Sequence, residues 1–447
     1  MTRFLFRLRD RWMAFWFAPA SATNLGVSRV IFFGVLAAFY IPHNFSIWGT
    51  VSSTLLQPIW LFQTFRVPVL SPAMLSAVEA AWKVSLVLSS VGLLTRPSMS
   101  VAALFGTYLL GLPHNFGQTY HFDALLVLGF WILAFSRAGD AWSIDHLIRT
   151  AREGDTPPAP ASPEYTWPVQ LILTALSLVF FAAGVAKIWT SGLEWVMSDH
   201  MAFLLRRVQY HISDADPLVN WGSHIAELPL APRLMAAGTI LIETSYPLSL
   251  FSRRLRVPLV LGGISLILGI RFLMGPTFEQ FLVINVFWVP WDRVGARLRS
   301  WLPRRTDMRV FYDGACSLCQ PTVAVLRRLD LRQRVEFLDV HGDWASINRR
   351  FPQLSRERCL ADMHGIDRAG HLFSGFETYR ALARVLPLGW IVLPFLYLPP
   401  VPWLGRRIYR VIADHRQTTA CALPGRAAIA AAASDGDRGT AGASSGR

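Results

Sequence analysis

Two cysteines separated by two residues, Cys316 and Cys319, are the strongest chemical signal in this sequence. They follow a short apolar run, 309–312, that is typical of a buried strand, and they precede apolar residues at helical spacing over 321–329. The dipole and the unpaired amides at the start of a helix favour the thiolate over the thiol at Cys316. Cys319, one turn further along, can attack a mixed disulfide formed on Cys316. The spacing therefore predicts dithiol chemistry, with Cys316 as the attacking thiolate and Cys319 as the resolving thiol.

Two other interpretations of this cysteine pair stay open. A zinc ribbon needs a second pair of ligands, and the remaining cysteines, Cys359 and Cys421, stand alone, so no metal site is predicted. An inert pair at the base of a helix also fits, since a short motif is a hypothesis until its context is known. Asp313 is placed either to tune the proton balance of the thiols or to brace the turn.

The composition indicates that most of the chain lies in a lipid bilayer. The 447 residues are 53% hydrophobic and 16% charged, which is more apolar surface than one soluble core can bury. Apolar stretches predict about eight spanning helices, at residues 25–42, 74–94, 99–113, 122–135, 167–188, 234–251, 257–274 and 278–291. The segment 55–70 carries Pro58, Arg66 and Pro68 among aromatic residues and is predicted to be interfacial or re-entrant.

Basic residues predict the orientation, because positive charge is retained in cytoplasmic loops. The N-terminal arm holds four arginines within residues 3–11, and a further basic run, 293–305, follows the last predicted span. An uncleaved anchor is predicted instead of a signal peptide, since 25–42 lacks a small-x-small cleavage site. We expect an integral protein of the cell (inner) membrane with both termini in the cytoplasm. This topology explains much of the net charge of +14 without a nucleic-acid partner.

The pattern changes abruptly near residue 300. The apolar helices give way to a strand at 309–312, a helix, a strand at 335–340, a hairpin made of 360–366 and 371–374, and a helix at 376–386. This order predicts a small α/β thioredoxin-like domain. We therefore expect a membrane domain at 1–300, a thioredoxin-like domain at 306–420 and a disordered tail at 421–447. The proline-broken segment 390–403 is expected to pack on the membrane surface or to cover the domain.

The C-terminal region resembles the DCC family of predicted thiol-disulfide oxidoreductases, which is named for an Asp-x-x-Cys-x-x-Cys signature. Here the signature consists of Asp313, Cys316 and Cys319, and the resemblance runs from about residue 308 to residue 416. It implies a domain whose redox-active centre is this cysteine pair.

The membrane region resembles the HTTM family, a multi-span group that includes the vitamin K-dependent gamma-carboxylases. The resemblance covers about residues 20–300 and depends on Ser143-Ile144-Asp145 and on the aromatic-rich stretch 180–189. It implies that Lys187 matches a lysine assigned as a base in those carboxylases. Arg271 stands where many relatives carry a histidine, so the resemblance implies the fold more than the carboxylase activity.

Ionisable residues inside the predicted spans are expensive in lipid and usually face a polar interior. Glu79 and Lys83 lie four residues apart and can pair on one helical face. The ionisable residues predicted toward the outer leaflet, where they would line a water-filled pocket, are Glu79, Asp123, Lys187, Arg271 and Glu279, with Glu243 deeper. Lys187 could act there as a general base. Alternatively, these residues pair to stabilise the bundle, or Lys187 reaches to the interface.

The leading hypothesis is an α-helical multi-span membrane bundle followed by a cytoplasmic thioredoxin-like domain that reduces disulfides. Its partners would be the lipid bilayer and a protein disulfide or small-molecule disulfide, and the dithiol would need no cofactor beyond a reductant. A second hypothesis is a carboxylase-like or quinone-dependent membrane enzyme with Lys187 as base, in which a quinone would be the cofactor. A third is a membrane scaffold or transporter with a redox-sensing domain.

Overall fold

The computed structural model describes residues 2–117, 121–153, 159–207, 221–274, 279–301, 305–342 and 344–419. The predicted disordered tail, 421–447, lies outside the described residues. The chain divides into two compact units, one formed by 1–146 with 158–295 and the other by 147–157 with 296–447.

The first unit is built from helices. They are α1 Thr2–Phe17, α2 Ala22–Tyr40, α3 Trp60–Thr64, α4 Pro72–Val91, α5 Thr95–Gly111, α6 His121–Phe135, α7 Ile144–Glu153, α8 Trp167–Ser191, α9 Glu194–Met197, α10 His200–Arg207, α11 Trp221–Ala226, α12 Ala231–Ser245, α13 Leu248–Phe251, α14 Arg253–Met274, α15 Glu279–Leu282 and α16 Trp291–Trp301. The sequences of α7 and α16 cross from this unit into the second. Short 3₁₀ segments lie at Ser46–Thr50, Ser53–Leu55, Pro113–Phe116, Pro163–Tyr165 and Val283–Trp288.

Local sequence explains where the long helices begin and end. Ser71 caps α4 by accepting a hydrogen bond from the Met74 amide at 3.4 Å, and Pro72 occupies the first turn, where its missing N–H costs nothing. Gly92 ends the same helix in the left-handed conformation, with φ at 70°. The limits of this span are therefore determined by neighbouring residues.

Among the described residues, four helices are long and apolar enough to cross a membrane: Ala22–Tyr40, Pro72–Val91, Pro163–Ser191 and Arg253–Met274. They correspond to the predicted spans at 25–42, 74–94, 167–188 and 257–274. The predicted spans at 99–113 and 122–135 form α5 and α6, of 17 and 15 residues. These are shorter than the roughly 20 residues that a helix needs to cross the hydrocarbon core without help. The prediction of eight spans is not confirmed.

Two predicted spans are not continuous helices. The stretch 234–251 is broken after Ser245, because Pro247 can neither donate a backbone hydrogen bond nor continue the preceding turns, and α13 starts after it. The stretch 278–291 contains the four residues of α15 followed by the 3₁₀ segment Val283–Trp288. That segment is rich in β-branched residues, and Asn285 turns its side-chain amide back to the Leu282 carbonyl at 3.2 Å.

An aromatic cluster forms the centre of the first unit. Phe32, Phe33, Trp82 and Phe130 are all fully buried. The Trp82 indole N–H donates to the Ala102 carbonyl at 3.1 Å, so its polar atom is satisfied inside the bundle. These contacts tie α2, α4, α5 and α6 together.

The second unit holds a four-stranded mixed sheet. Its strands are β1 Met308–Tyr312, β2 Val335–Asp339, β3 His364–Asp367 and β4 Leu372–Ser374, in the order β2-β1-β3-β4. β1 pairs parallel with β2 and antiparallel with β3, and β3 and β4 form the predicted antiparallel hairpin. The first strand of the hairpin begins at His364 and not at the predicted residue 360, because residues 360 and 361 belong to the helix Arg356–Ala361. Its helices are α17 Cys319–Leu329, α18 Trp344–Arg350, α19 Arg356–Ala361, α20 Phe376–Val385, α21 Gly389–Tyr397 and α22 Val401–Thr419.

Side chains of β1 alternate between two apolar layers on the two faces of this sheet. Met308 and Val310 pack with residues of α17 and α20, whereas Phe311 packs on the other face with residues of α18 and α19. A strand covered on both faces is held rigidly, so the residues that follow Tyr312 leave the sheet from a defined position.

Candidate functional site

The predicted cysteine pair lies at the connection between β1 and α17. Residues 313–318 form the loop between them, and Cys319 is the first residue of the helix. The Cys316 carbonyl accepts hydrogen bonds from the amides of Cys319 and Gln320, both at 3.1 Å. Cys316 thus precedes the helix by three residues, immediately in front of its positive end, and the strand-loop-helix layout expected from the sequence is present.

Both thiols are covered by protein. Cys316 is 0% exposed and Cys319 is 4% exposed, while the neighbouring residues Ala315, Ser317 and Leu318 are exposed. Cys316, Cys319 and Cys359 are all thiols in the structure. A disulfide on another molecule therefore cannot reach the Cys316 sulfur in this conformation.

Carboxylates hold this loop in place. The Ala315 amide donates to Asp313 Oδ1 at 2.9 Å, within the loop itself. Asp339, the last residue of β2, accepts from the amides of Gly314 and His341, both at 2.9 Å. A Cβ atom on Gly314 would lie 2.1 Å from Asp339 Oδ2, so only glycine fits between the loop and that carboxylate.

His341 is a member of this site that the sequence analysis missed. Its Nε2 lies 2.9 Å from Asp313 Oδ1; the Asp313 side chain is 5% exposed and that of His341 is 33% exposed. The imidazole therefore links a buried carboxylate beside the thiols to the surface of the domain. A signal was present in the sequence: His341 closely follows the second strand, and the carboxyl ends of neighbouring parallel strands meet at one edge of a sheet.

Cys359 is separate from the pair. It lies in α19 and packs with Phe311 and Ile366 on one face of the sheet. Burial raises the pKa of the Cys359 thiol to about 11. It is consequently a core residue that stays protonated at neutral pH. No group of three His, Cys, Asp or Glu residues in the part of the chain that the structure describes is arranged to hold a metal ion.

Lys187, the predicted base of the membrane unit, is paired. Its Nζ donates to both carboxylate oxygens of Glu243, at 2.7 and 2.8 Å, and lies 5.5 Å from the Trp195 ring centroid. The close approach of α8 and α12 depends on Gly184, because a Cβ there would lie 2.8 Å from Thr244 Cγ2 and 2.9 Å from Glu243 Cβ. Gly184 and Lys187, both in the stretch 180–189, thus both contribute to the contact between α8 and α12.

Two more of the ionisable residues predicted in the spans have a charged or titratable partner. Lys83 lies 2.6 Å from Glu79, which confirms the pairing predicted from their spacing. His114 lies 3.2 Å from Asp123. The Glu279 side chain lies outside the described part of the chain. The outward pocket expected from the sequence stays a prediction.

A cavity in the first unit is lined by none of these ion-paired residues. It has a volume of about 150 Å³ and opens beside the first turns of α2 and α8. Asn24, Gln170, Arg256 and Trp288 are among the residues that line it.

Two known domains match this chain. An HTTM domain matches residues 17–267, more than half of the chain, and a DCC1-like thiol-disulfide oxidoreductase domain matches residues 310–422. The chain belongs to the HTTM family. It is a membrane protein in which the HTTM domain is followed by a DCC1-like domain of the thiol-disulfide oxidoreductase class.

One curated relative is an uncharacterized chloroplastic protein of Arabidopsis thaliana. It is 28% identical over 119 residues, which make up 26% of this chain and 53% of the relative. The chain thus spans about half the length of that relative. No solved structure matches the chain with statistical significance.

The motif Ser143-Ile144-Asp145 of the HTTM domain holds the start of α5 through its aspartate. Asp145 Oδ2 accepts hydrogen bonds from the amide and the hydroxyl of Thr95, both at 2.7 Å, and Oδ1 accepts from the Leu94 amide at 2.9 Å. Burial by itself would raise the pKa of Asp145, but these hydrogen bonds and the charge of Arg29 outweigh it and lower the pKa below its usual value. Asp145 therefore caps the start of α5 as a carboxylate.

Arg29 is a second residue that the sequence analysis did not select. It is fully buried in α2, and its Nη2 donates to the Trp142 carbonyl. The available signal was one arginine inside an apolar stretch, which is costly in a membrane and therefore usually has a partner.

Proposed function

We propose that this protein is a membrane-anchored protein-disulfide reductase whose catalytic dithiol is Cys316 and Cys319. The observation that carries the proposal is the position of the pair at the end of a fully packed strand and in front of α17, inside a loop held by Asp313 and Asp339. The family match to thiol-disulfide oxidoreductases supports the same chemistry.

The reaction balances without a bound cofactor. The Cys316 thiolate attacks a substrate disulfide, forms a mixed disulfide and releases one substrate thiolate, which takes up a proton. The Cys319 sulfur, after losing its proton, then attacks Cys316 and releases the second substrate thiol. The substrate disulfide gains two electrons and the protein is left with a Cys316–Cys319 disulfide. An external thiol or dithiol reductant returns the pair to its reduced state.

Access to the thiols is part of the proposed mechanism. Because Cys316 is fully covered, a substrate must displace the loop 313–318, whose hydrogen bond from the Gly314 amide to Asp339 is only partly buried and is open to competition. The loop would admit disulfides that can replace those contacts and would protect the dithiol from adventitious alkylation and oxidation.

Enlarging Gly314 tests this role of the loop. Gly314→Ala is expected to raise the alkylation rate of Cys316 severalfold, because the new Cβ would lie 2.1 Å from the Asp339 carboxylate and must push the loop away from it. Gly342→Ala is the matched control, since its Cβ would meet the same aspartate at 3.8 Å, an ordinary contact. Iodoacetamide labelling followed by peptide mass spectrometry measures both rates. Equal rates in the two variants would rule out a loop that limits access.

Several features of the protein are proposed together with this function. The strand order β2-β1-β3-β4 and the helix between β1 and β2 support a thioredoxin-like domain at 306–420. The arginine distribution supports about eight spans within 1–300 and both termini in the cytoplasm of a cell (inner) membrane. The partners would be the bilayer and a disulfide-bearing protein or small molecule, with no nucleic acid.

Lys187 as a base, and a quinone as cofactor, stay predictions of the alternative membrane-enzyme function. The ion pair with Glu243 supports a structural role for this lysine, because it accounts for the charge without a substrate. We assign no step of the disulfide reaction to Lys187.

A sealed-vesicle assay tests the activity and its sidedness in one experiment. Inside-out vesicles containing the full chain, once reduced and washed, are expected to reduce a membrane-impermeant disulfide, because the domain would face the medium. Right-side-out vesicles should show this activity only after permeabilisation. Activity in neither preparation would contradict the reductase function, and activity in right-side-out vesicles alone would contradict the cytoplasmic location.

A further inference from the structure

The last two helices of the second unit expose many large apolar side chains. α20, α21 and α22 pack against one another, yet the outer sides of α21 and α22 remain uncovered. The exposed side chains, which we call the C-terminal apolar surface, are Trp390, Val392, Phe395, Leu398, Trp403, Leu404, Ile408, Val411 and Ile412. Phe395 is 64% exposed and Val411 is 68% exposed. Large exposed apolar patches of this kind usually mark an interaction surface.

α22 separates its residues into two faces at helical spacing. Gly405, Tyr409 and Ala413 face the domain: a Cβ on Gly405 would lie 2.3 Å from the Phe376 ring, and the Met363 amide donates to the Tyr409 hydroxyl at 3.0 Å. The opposite face carries Leu404, Ile408 and Val411, each about half exposed or more. The outward apolar stripe is thus distinct from the residues that hold the helix on its domain.

Positive charge lies beside this stripe. Between Val401 and Ala413 the helix carries Arg406, Arg407 and Arg410 and no acidic residue. The Arg407 guanidinium lies 4.4 Å from the Trp403 ring centroid, and Arg406 is paired with Glu377 at 3.0 Å. α21 carries no charged residue. An apolar stripe with aromatic residues and flanking arginines is the pattern of a helix that lies in a bilayer interface.

We propose that the C-terminal apolar surface docks on a lipid bilayer that contains anionic headgroups, with α22 lying in the interface plane. Two observations favour a lipid partner over a protein. The arginines complement negative phosphates, and the spans of the same chain keep a bilayer within reach, since only residues 275–307 separate α14 from β1. This docking does not depend on the redox function.

Docking of this surface would also orient the dithiol. Tyr409 connects α22 to the backbone at Met363, directly before β3, and β3 pairs with β1. The loop 313–318 follows β1, so a helix held in the interface would present that loop to partners at a constant orientation relative to the lipid.

Fluorescence quenching by lipid tests the proposal in the full chain. The fluorophore NBD is attached at Val411→Cys in a Cys421→Ser background, and the background protein without an added cysteine reports any labelling of the buried thiols. Reconstitution is into phosphatidylcholine vesicles with or without phosphatidylglycerol, each prepared with and without doxyl-phosphatidylcholine. The fluorescence emission of NBD at position 411 is expected to shift to the blue and to be strongly quenched by the doxyl lipid. The quenching should be stronger in vesicles that contain phosphatidylglycerol.

Matched variants make the outcome decisive. Ala369→Cys, in the exposed turn between β3 and β4, should be quenched far less than Val411→Cys. Arg407→Gln and Arg410→Gln should each lower the ratio of docked to undocked protein about fivefold in anionic vesicles. A blue shift without lipid quenching would show that a second copy or another protein surface covers the helix, and would overturn the proposal. Equal quenching at both positions, or indifference to phosphatidylglycerol and to both arginines, would overturn it as well.

Discussion

Replacing Cys316 by serine is expected to abolish disulfide exchange, with activity reduced to the level of protein-free controls. Cys316→Ser removes the attacking sulfur, whereas Cys319→Ser keeps it and removes the sulfur that resolves the mixed disulfide. Cys319→Ser should therefore accumulate a covalent adduct with the substrate. Intact-protein mass spectrometry of the full chain in a Cys421→Ser background, after exposure to a small disulfide, distinguishes the two outcomes: no adduct for Cys316→Ser, and one adduct per chain for Cys319→Ser.

The third described cysteine is the natural control for this experiment. Cys359→Ala should leave the exchange reaction unchanged, because Cys359 lies in the core on the α19 side of the sheet and burial raises its pKa to about 11. An adduct that forms on Cys319 in the Cys316→Ser variant would reverse the two assigned roles. Loss of exchange in Cys359→Ala, with folding intact, would contradict the assignment of the pair itself.

Breaking the ion pair between Lys187 and Glu243 is expected to have the largest effect on stability. Glu243→Gln leaves an ammonium without its carboxylate inside the bundle, and Lys187→Met leaves the carboxylate without its ammonium. Each single change should lower the free energy of unfolding by about 3 kcal/mol. This is the low end of the range for a buried ion pair, because the Lys187 side chain is 22% exposed. The double variant should recover much of this loss, because it leaves neither charge unpaired. Unfolding in mixed micelles measures the free energies.

An exposed ion pair of the first unit provides the comparison. Arg9 and Asp10 lie 3.3 Å apart, with side chains 65% and 68% exposed, so Arg9→Gln should lower the free energy of unfolding by less than about 1 kcal/mol. If the effects of Lys187→Met and Glu243→Gln simply add in the double variant, the pair does not stabilise the bundle. Lys187 would then be available for the chemistry that its resemblance to a carboxylase base implies.

Local patterns predicted the strands of the second unit well, but α18 and α19 were not predicted. Apolar runs of four to six residues predicted β1 and β2, and the turn at Asp367 to Gly370 predicted the hairpin of β3 and β4. These predictions succeeded because alternation and turn chemistry act between neighbours in sequence. The pairing of Glu79 with Lys83 was predictable for the same reason, since residues four apart meet on one helical face.

The interruptions of the membrane helices were harder to predict. Hydropathy is averaged over a window of residues, so the apolar stretch 234–251 was predicted to be one span. Pro247 nevertheless ends α12 after Ser245. In 278–291 the apolar residues outweigh Glu279, Gln280 and Asn285 in such an average, but the segment between Val283 and Trp288 is 3₁₀. Composition measures affinity for lipid, whereas helix continuity depends on single residues.

By itself, the sequence determined the two-part organisation and the membrane location of the first part, and it predicts the reactive pair, Cys316 and Cys319. Each of these follows from composition or from spacing along the chain. Only the tertiary structure decided that Glu243 holds Lys187, that Asp145 caps α5, and that His341 contacts Asp313 beside covered thiols. Those partners are separated by tens of residues, and they meet because helices pack and parallel strands end together, which spacing along one chain does not encode.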